Sequence, residues 1–228
     1  MAKRFSKEQL EADALVTTYA RFVGFIQKNI ISAILGGVAV LVLIGAGVWY
    51  YLQSQAHEAE AQELLVSAEQ MFEETDYESA LYGDDVDFTA GFAEIIEEYP
   101  RTDAANIARY YAAVSALRLE ENQEALNYIE DFEPPGGILG VGPISIHGII
   151  LENLGEYEEA AIQFKRAADW DRNTTTTPQN LLMAAQAALE AGQDQSAREY
   201  LNEIIEEYEN SNAADQALHM QGMMSALD

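Results

Sequence analysis

From Asn29 to Ala56 the chain carries no charged residue, and inside that stretch IISAILGGVAVLVLIGAGVWYYL runs 23 residues from Ile30 to Leu52. A helix of that length spans about 34 Å, against a hydrocarbon core of about 30 Å. Nothing else in the 228 residues could surround so long an apolar rod. The sequence therefore predicts a transmembrane helix over residues 29–53. Trp49, Tyr50 and Tyr51 lie together at one end, where amphipathic rings favour the headgroup layer. Arg21 and Lys28 flank the other end, and the next basic residue beyond the span is Arg101. This asymmetry predicts a single-pass protein of the inner (cytoplasmic) membrane, with residues 1–28 cytoplasmic and residues 54–228 periplasmic. Ser54-Gln55-Ala56 resembles a signal-peptide cleavage site. The apolar run is longer than the roughly 7–15 residues of a signal sequence and ends in bulky aromatics, so an uncleaved anchor is expected. Positions 33, 36, 37 and 40, with Ala33, Gly36 and Gly37 among them, suggest a small-residue face for packing against a partner's membrane helix. Ordinary membrane-helix composition is the plainer reading of the same residues, and the one preferred.

Charge divides the chain at the same place. Residues 1–28 carry five basic and three acidic residues, whereas residues 57–228 carry seven basic and thirty-six acidic ones. So negative a domain repels phosphate backbones, which argues against nucleic-acid binding. Few lysines and many carboxylates suggest a salt-loving source, where abundant cations screen the surface. The short cytoplasmic segment has a Ser6-x-x-Gln9 capping box and an apolar stripe of Leu15, Tyr19, Phe22 and Ile26. An amphipathic helix on the inner membrane surface is expected there.

Beyond the span the chain reads as helix throughout, rich in Ala, Leu and Glu and without sustained alternation. EIIEEY occurs twice, at 94–99 and 203–208, and NYIEDF (127–132) and KRAADW (165–170) end in the same manner. Their closing aromatics, Tyr99, Phe132, Trp170 and Tyr208, are spaced by 33, 38 and 38 residues. A second register agrees: Ala125 with Ile129, Ala160 with Phe164 and Ala197 with Leu201 each pair a small residue with a large one four positions on. Short turns precede them at EEN (120–122), LGEY (154–157) and AGQD (191–194), where Gly155 and Gly192 suit left-handed helix caps. Helices rich in small residues come before the turns. The unit is helix, turn, helix at about 34 residues, the tetratricopeptide pattern. The small residue lets paired helices approach and the large one fills the groove between them. The expected fold is all-α: one transmembrane helix followed by a tetratricopeptide-repeat α-solenoid of about four helix pairs. A capping helix over 213–227 would end it, opened by Ala213–Ala214 as Ala104–Ala105 open an earlier unit. The closing aromatics are expected to pack at junctions between repeats, with the neighbouring glutamates in water.

Three stretches depart from the repeat. DYESALYGDDVDF (76–88) is expected to lengthen the first turn, and EPPGGILGVGP (133–143) and NTTTTPQ (173–179) to lengthen connections. Asp84, Asp85 and Asp87 lack the spacing of a calcium loop and read as a solvated turn. The glycines at 136, 137, 140 and 142 precede no Gly-Lys-Ser/Thr, so they form no phosphate loop. Ile138, Leu139 and Val141 are expected to dock back on the repeats; contact with a partner or membrane is the alternative. There is no cysteine, the three histidines are scattered, and no nucleophile–base set stands out, so neither an enzyme nor a metal or cofactor site is expected.

The stretches GFAEIIEEYPRTDAANIARYYAA (91–113), ILGVGPISIHGIILENLGEYEEAA (138–161) and TTTTPQNLLMAAQAAL (174–189), behind one membrane helix, resemble the ancillary subunit of the SecYEG translocon in its Bacteroidota-like form. That family's domain is related to that of a cell-division coordinator. The resemblance covers most of residues 15–228. It implies a membrane-bound, non-enzymatic interaction protein that meets the secretion channel and periplasmic chaperones. A self-associating envelope scaffold, or an adaptor for cell division or outer-membrane assembly, is the alternative. In the repeat, first helices line a concave surface. By motif position Tyr110, Arg118, Ile149, Asn153 and Gln186 are the residues expected to face a protein partner there.

Overall fold

The structure, a computed structural model, describes residues 7–84 and 89–227. The Ser6/Gln9 capping box, Asp85 and Asp87 lie outside them, as do the side chains of Leu15, Phe22, Ile26 and Ala33. Among the described residues there are eleven helices and no strand. The chain divides into two compact units, Met1–Ala56 and His57–Asp228.

The first unit holds α1 (Lys7–Lys28) and the start of α2 (Ile30–Glu73). α2 contains an 18-residue window of mean hydropathy 2.5 with no buried side chain, long and apolar enough to cross a membrane. Leaving such a surface in water is untenable, since exposed apolar patches of this extent mark a contact surface. The expected small-residue face is incomplete. Position 40 is Val40, so Gly36 has no small partner four residues on.

The second unit is built from one local device used four times. Thr75, Glu120, Gly155 and Gly192 all take positive φ, between 63° and 79°. Each ends a first helix. The amide after it donates back five residues, as from Glu156 to the Leu151 carbonyl at 2.9 Å and from Gln193 to Ala188 at 2.7 Å. This is the hydrogen bonding of a Schellman cap. Four residues past each cap's last donor lies a fully buried alanine, in turn Ala80, Ala125, Ala160 and Ala197. The resulting pairs are the 57–73 portion of α2 with α3 (Tyr77–Tyr82) and α4 (Phe92–Glu98), then α5 (Asp103–Arg118) with α6 (Asn122–Glu130). α7 (Ile138–Leu154) with α8 (Tyr157–Trp170) and α9 (Thr176–Glu190) with α10 (Asp194–Glu207) follow, and α11 (Asn212–Leu227) caps the stack.

The core between paired helices balances volume. Where the second helix supplies Ile129 or Leu201, the facing first-helix position, seven residues before its cap, is Ala113 or Ala185. Where it supplies the larger Phe164, that position is Gly148, and a Cβ there would stand 2.6 Å from the ring. Burying each of these large side chains contributes about 1.5–3 kcal/mol.

The departures resolve differently from the sequence reading. The first turn is not lengthened: Thr75 fills the same place as Gly155. The insertion instead splits the second helix into α3 and α4. Its ends meet, with Asp84 and Thr89 exchanging two backbone hydrogen bonds of 3.0 and 3.1 Å. A Cβ on Gly91 would lie 2.3 Å from the Gly83 nitrogen, so the neck closes only with glycine. The segment expected as a glycine-rich loop is helical from Ile138, despite Pro143. Val141 docks on Ile144, Ala167 and Trp170, but Ile138 and Leu139 do not dock and are 52% and 75% exposed. Before α9, Asn173 accepts hydrogen bonds from the Thr175 and Thr176 amides, both at 2.8 Å, so NTTTTPQ is an ordered cap.

Tyr99, Phe132 and Trp170 hold their own pair, whereas Tyr208 packs at the junction with the preceding pair, through Arg172. Tyr99 meets His57 edge-on and Phe132 meets Tyr110. Trp170 Nε1 donates to the Pro135 carbonyl at 3.0 Å, and the Tyr208 ring and hydroxyl take Arg172. The glutamates of the repeated hexapeptides face water except Glu203, which is half-buried and paired with Arg172.

Candidate interaction surface

Consecutive first helices touch, α5 against α7, α7 against α9 and α9 against the capping α11. Among the described residues no two second helices from neighbouring pairs come as close. A row of pairs joined along one side curves with that side inward, so the first helices form the inner face. Counting back from the left-handed cap gives a common register. Positions two, six, nine and thirteen before it share one helix face, because 3.6 residues make a turn.

Nine residues before the cap stand Val66, Tyr111, Ile146 and Met183. Six before it stand Glu69, Val114, Ile149 and Gln186, and two before it Glu73, Arg118, Asn153 and Glu190. Of the five residues expected from the sequence, Arg118, Ile149, Asn153 and Gln186 fall in this register. Tyr110 falls one place aside, level with Ser145 and with buried Leu182. Its ring is half-buried against Tyr111 and Phe132, at 5.6 and 5.8 Å between centroids. Ile149 is half-buried on the main core, Arg118 and Gln186 are exposed, and Asn153 Nδ2 donates to Asn122 Oδ1 at 3.2 Å. Sequence reasoning passed over Tyr111, Ile146 and Met183, whose periodicity becomes visible only once the caps are aligned.

The inner face is apolar along its middle and acidic along one margin. Glu69 and Glu73 of α2 raise the titration of Tyr111 on α5, which burial already pushes up. Glu69 is itself raised, first by burial and then by Glu73. Glu152 on α7 stands one place aside from that register, on the side toward α9, and is raised by burial and by Glu190 on α9. None of these four carboxylates has an ion-pair or hydrogen-bond partner among the described residues, whereas Asp169, Glu203 and Glu207 on the second helices are tied to Lys165 or Arg172. Arg172 bridges α8 to α10, and its bond to Glu203 holds the guanidinium protonated.

Elsewhere a crevice of about 50 Å³ lies between α6, α7 and α8, with His147 beside Arg166 and Glu130. Burial, then the Arg166 charge, lowers the His147 pKa. Among the described residues no three His, Asp or Glu side chains are placed to hold a metal. An apolar band flanked by carboxylates offers contact area and charge, not a reacting group; it suits the binding of another polypeptide. Residues 179–211, most of α9 and all of α10, match the tetratricopeptide-repeat family model. No curated protein and no solved structure matches the chain.

Proposed function

We propose that this chain is a membrane-anchored, non-enzymatic interaction module that presents its tetratricopeptide unit, residues 54–228, at the periplasmic face of the inner membrane. The observation that carries the reading is the aligned inner face of the first helices, apolar at Tyr111, Ile146, Ile149 and Met183, each packed on the core on one side and only half-buried by the chain itself. The anchor rests on the fully exposed apolar stretch of α2, and the orientation on the basic residues that precede it. Within that frame the partner is a secretion channel or a chaperone linked to it, on the strength of the resemblance carried by residues 91–113, 138–161 and 174–189. Residues 1–28 lie on the cytoplasmic side and 29–53 span the bilayer.

The test is photo-crosslinking in intact membranes, from side chains placed at Asn153 and Gln186 on the inner face and at Glu159 and Ile162 on the outer one. Capture of a channel subunit from the inner pair alone supports the proposal. Capture only from the outer pair removes the inner face from the function. A second reading, self-association, is favoured by Leu218 and Met223, which stand 53% and 51% exposed on the terminal helix. Crosslinks to a second copy of the chain from Leu218 would select it.

A further inference from the structure

We infer that the inner face takes a cationic amphipathic helix, its apolar side on the band and its lysines or arginines on the carboxylate margin. The inference rests on the inner-face reading above and names the chemistry of the occupant. Four first helices set about 10 Å apart present a face about 30 Å long, which a helix of about 20 residues spans. The apolar contact comes from Val66, Tyr111, Ile146, Ile149 and Met183.

Charge fixes the sign of the partner. Glu69, Glu73, Glu152 and Glu190 lie toward the C-terminal ends of their helices, so the macrodipoles add negative potential to the same margin. Glu69 and Glu152 are half-buried next to a second glutamate with no cation opposite. Such carboxylates are held at a cost, and an incoming cation removes it by replacing repulsion with attraction. The one cation in this register, Arg118, is exposed and has no ion-pair partner among the described residues. An acidic ligand would meet four carboxylates for one guanidinium.

The experiment uses the full chain in detergent and two labelled synthetic peptides of about 20 residues. Both have the same leucine stripe; one bears lysine and the other glutamate at every polar position. Fluorescence anisotropy at moderate salt should detect only the lysine peptide. Replacing Glu69, Glu73, Glu152 and Glu190 together by Gln should weaken it about tenfold, at about 0.4 kcal/mol per lost pair. The same replacement at the exposed outer residues Glu94, Glu97, Glu98 and Glu206 should leave it within about twofold. Arg118→Glu should tighten it. Equal losses from the two sets, or weaker binding by Arg118→Glu, would overturn the inference.

A third variant, Ile149→Asp, separates this failure from failure of the inner-face reading. If the glutamate peptide binds and Ile149→Asp abolishes it, the face is a docking site and the cationic assignment is wrong. If no peptide's binding responds to Ile149→Asp, the inner face is not the site and both readings fall.

Discussion

Gly148 faces the ring of Phe164, and replacing it with alanine tests whether volume balance between paired helices sets the stability of the solenoid. A Cβ at Gly148 would stand 2.6, 2.7 and 2.8 Å from Cε1, Cδ1 and Cζ of Phe164. Ordinary carbon contacts lie at about 3.5–4.0 Å, so the ring must retreat by about 1 Å. Phe164 is fully buried, so its retreat pushes on α9, against which α8 also packs. Overpacking costs about 1–3 kcal/mol, with contacts this close at the upper end, about 2–3 kcal/mol, and exchanging a helical glycine for alanine returns about 1 kcal/mol. The net loss for Gly148→Ala is about 1–2 kcal/mol, or about 2–8 °C in a unit of this size. Phe164→Leu alone opens space and costs about 1–2 kcal/mol. The double variant G148A/F164L restores the combination already present as Ala185 with Leu201, so it should be no less stable than Phe164→Leu alone. That is a coupling of about 1–2 kcal/mol in favour of the pair. Urea unfolding can be followed through Trp170, which closes α8, in full-length chain with Trp49 replaced by Phe. Additive losses in the double variant, or a neutral Gly148→Ala, would refute the argument.

Glu120 holds a left-handed conformation that glycine takes freely in two other caps, so Glu120→Gly should stabilise the unit by about 0.5–1 kcal/mol, read as an upward shift of the urea midpoint. Gly91→Ala should cost more than about 3 kcal/mol, because its Cβ would meet backbone at 2.3 Å; hydrogen exchange should show the loss first in α3 and α4. The His147 pKa is lowered in the fold, so the unfolded chain binds the extra proton first and stability falls as pH drops through about 6.5. The stability difference between wild type and His147→Gln should therefore change across that window and level off below it, measured by unfolding at a series of pH values. Thirty-six carboxylates against seven basic residues in 57–228 should make the melting temperature rise from low to molar salt; a flat response would remove the salt-adapted reading.

What was legible in the sequence is what repeats locally. The pairs Ala125/Ile129, Ala160/Phe164 and Ala197/Leu201 sit where their spacing predicts, and all six residues are buried. The alanine pairs open α5 and α11 for the same reason: close packing needs small side chains at a helix crossing. The first pair was hidden by two substitutions of the pattern. Thr75 stands at a left-handed cap where glycine would have marked the turn, and Asp84 follows Ala80 at the place of the large apolar partner. Propensity then assigned the irregularity to the turn, although the structure puts it inside the second helix. Glu120 had the same effect one pair later. With no glycine to anchor the count there, the sequence does not tell Tyr110 from its neighbour Tyr111, and one residue is a rotation of about 100° around a helix.

The glycines of ILGVGP misled in the opposite direction, because their composition reflects packing rather than flexibility. At Gly140 a Cβ would collide with Trp170 Nε1 at 2.3 Å and with the Pro135 carbonyl at 2.2 Å, the two atoms that form the hydrogen bond closing that pair. Local propensity counts such a glycine against a helix by about 1 kcal/mol. The tertiary contact it permits joins an indole donor, the Pro135 carbonyl and the start of α7, and that outweighs the propensity. Phe164 imposes glycine at 148 and Trp170 imposes it at 140, so two of the three aromatics of α8 account for both buried glycines of α7. The most glycine-rich helix of the stack is thus specified by its partner, a relation between side chains 16 and 30 residues apart in sequence that no window along α7 alone contains.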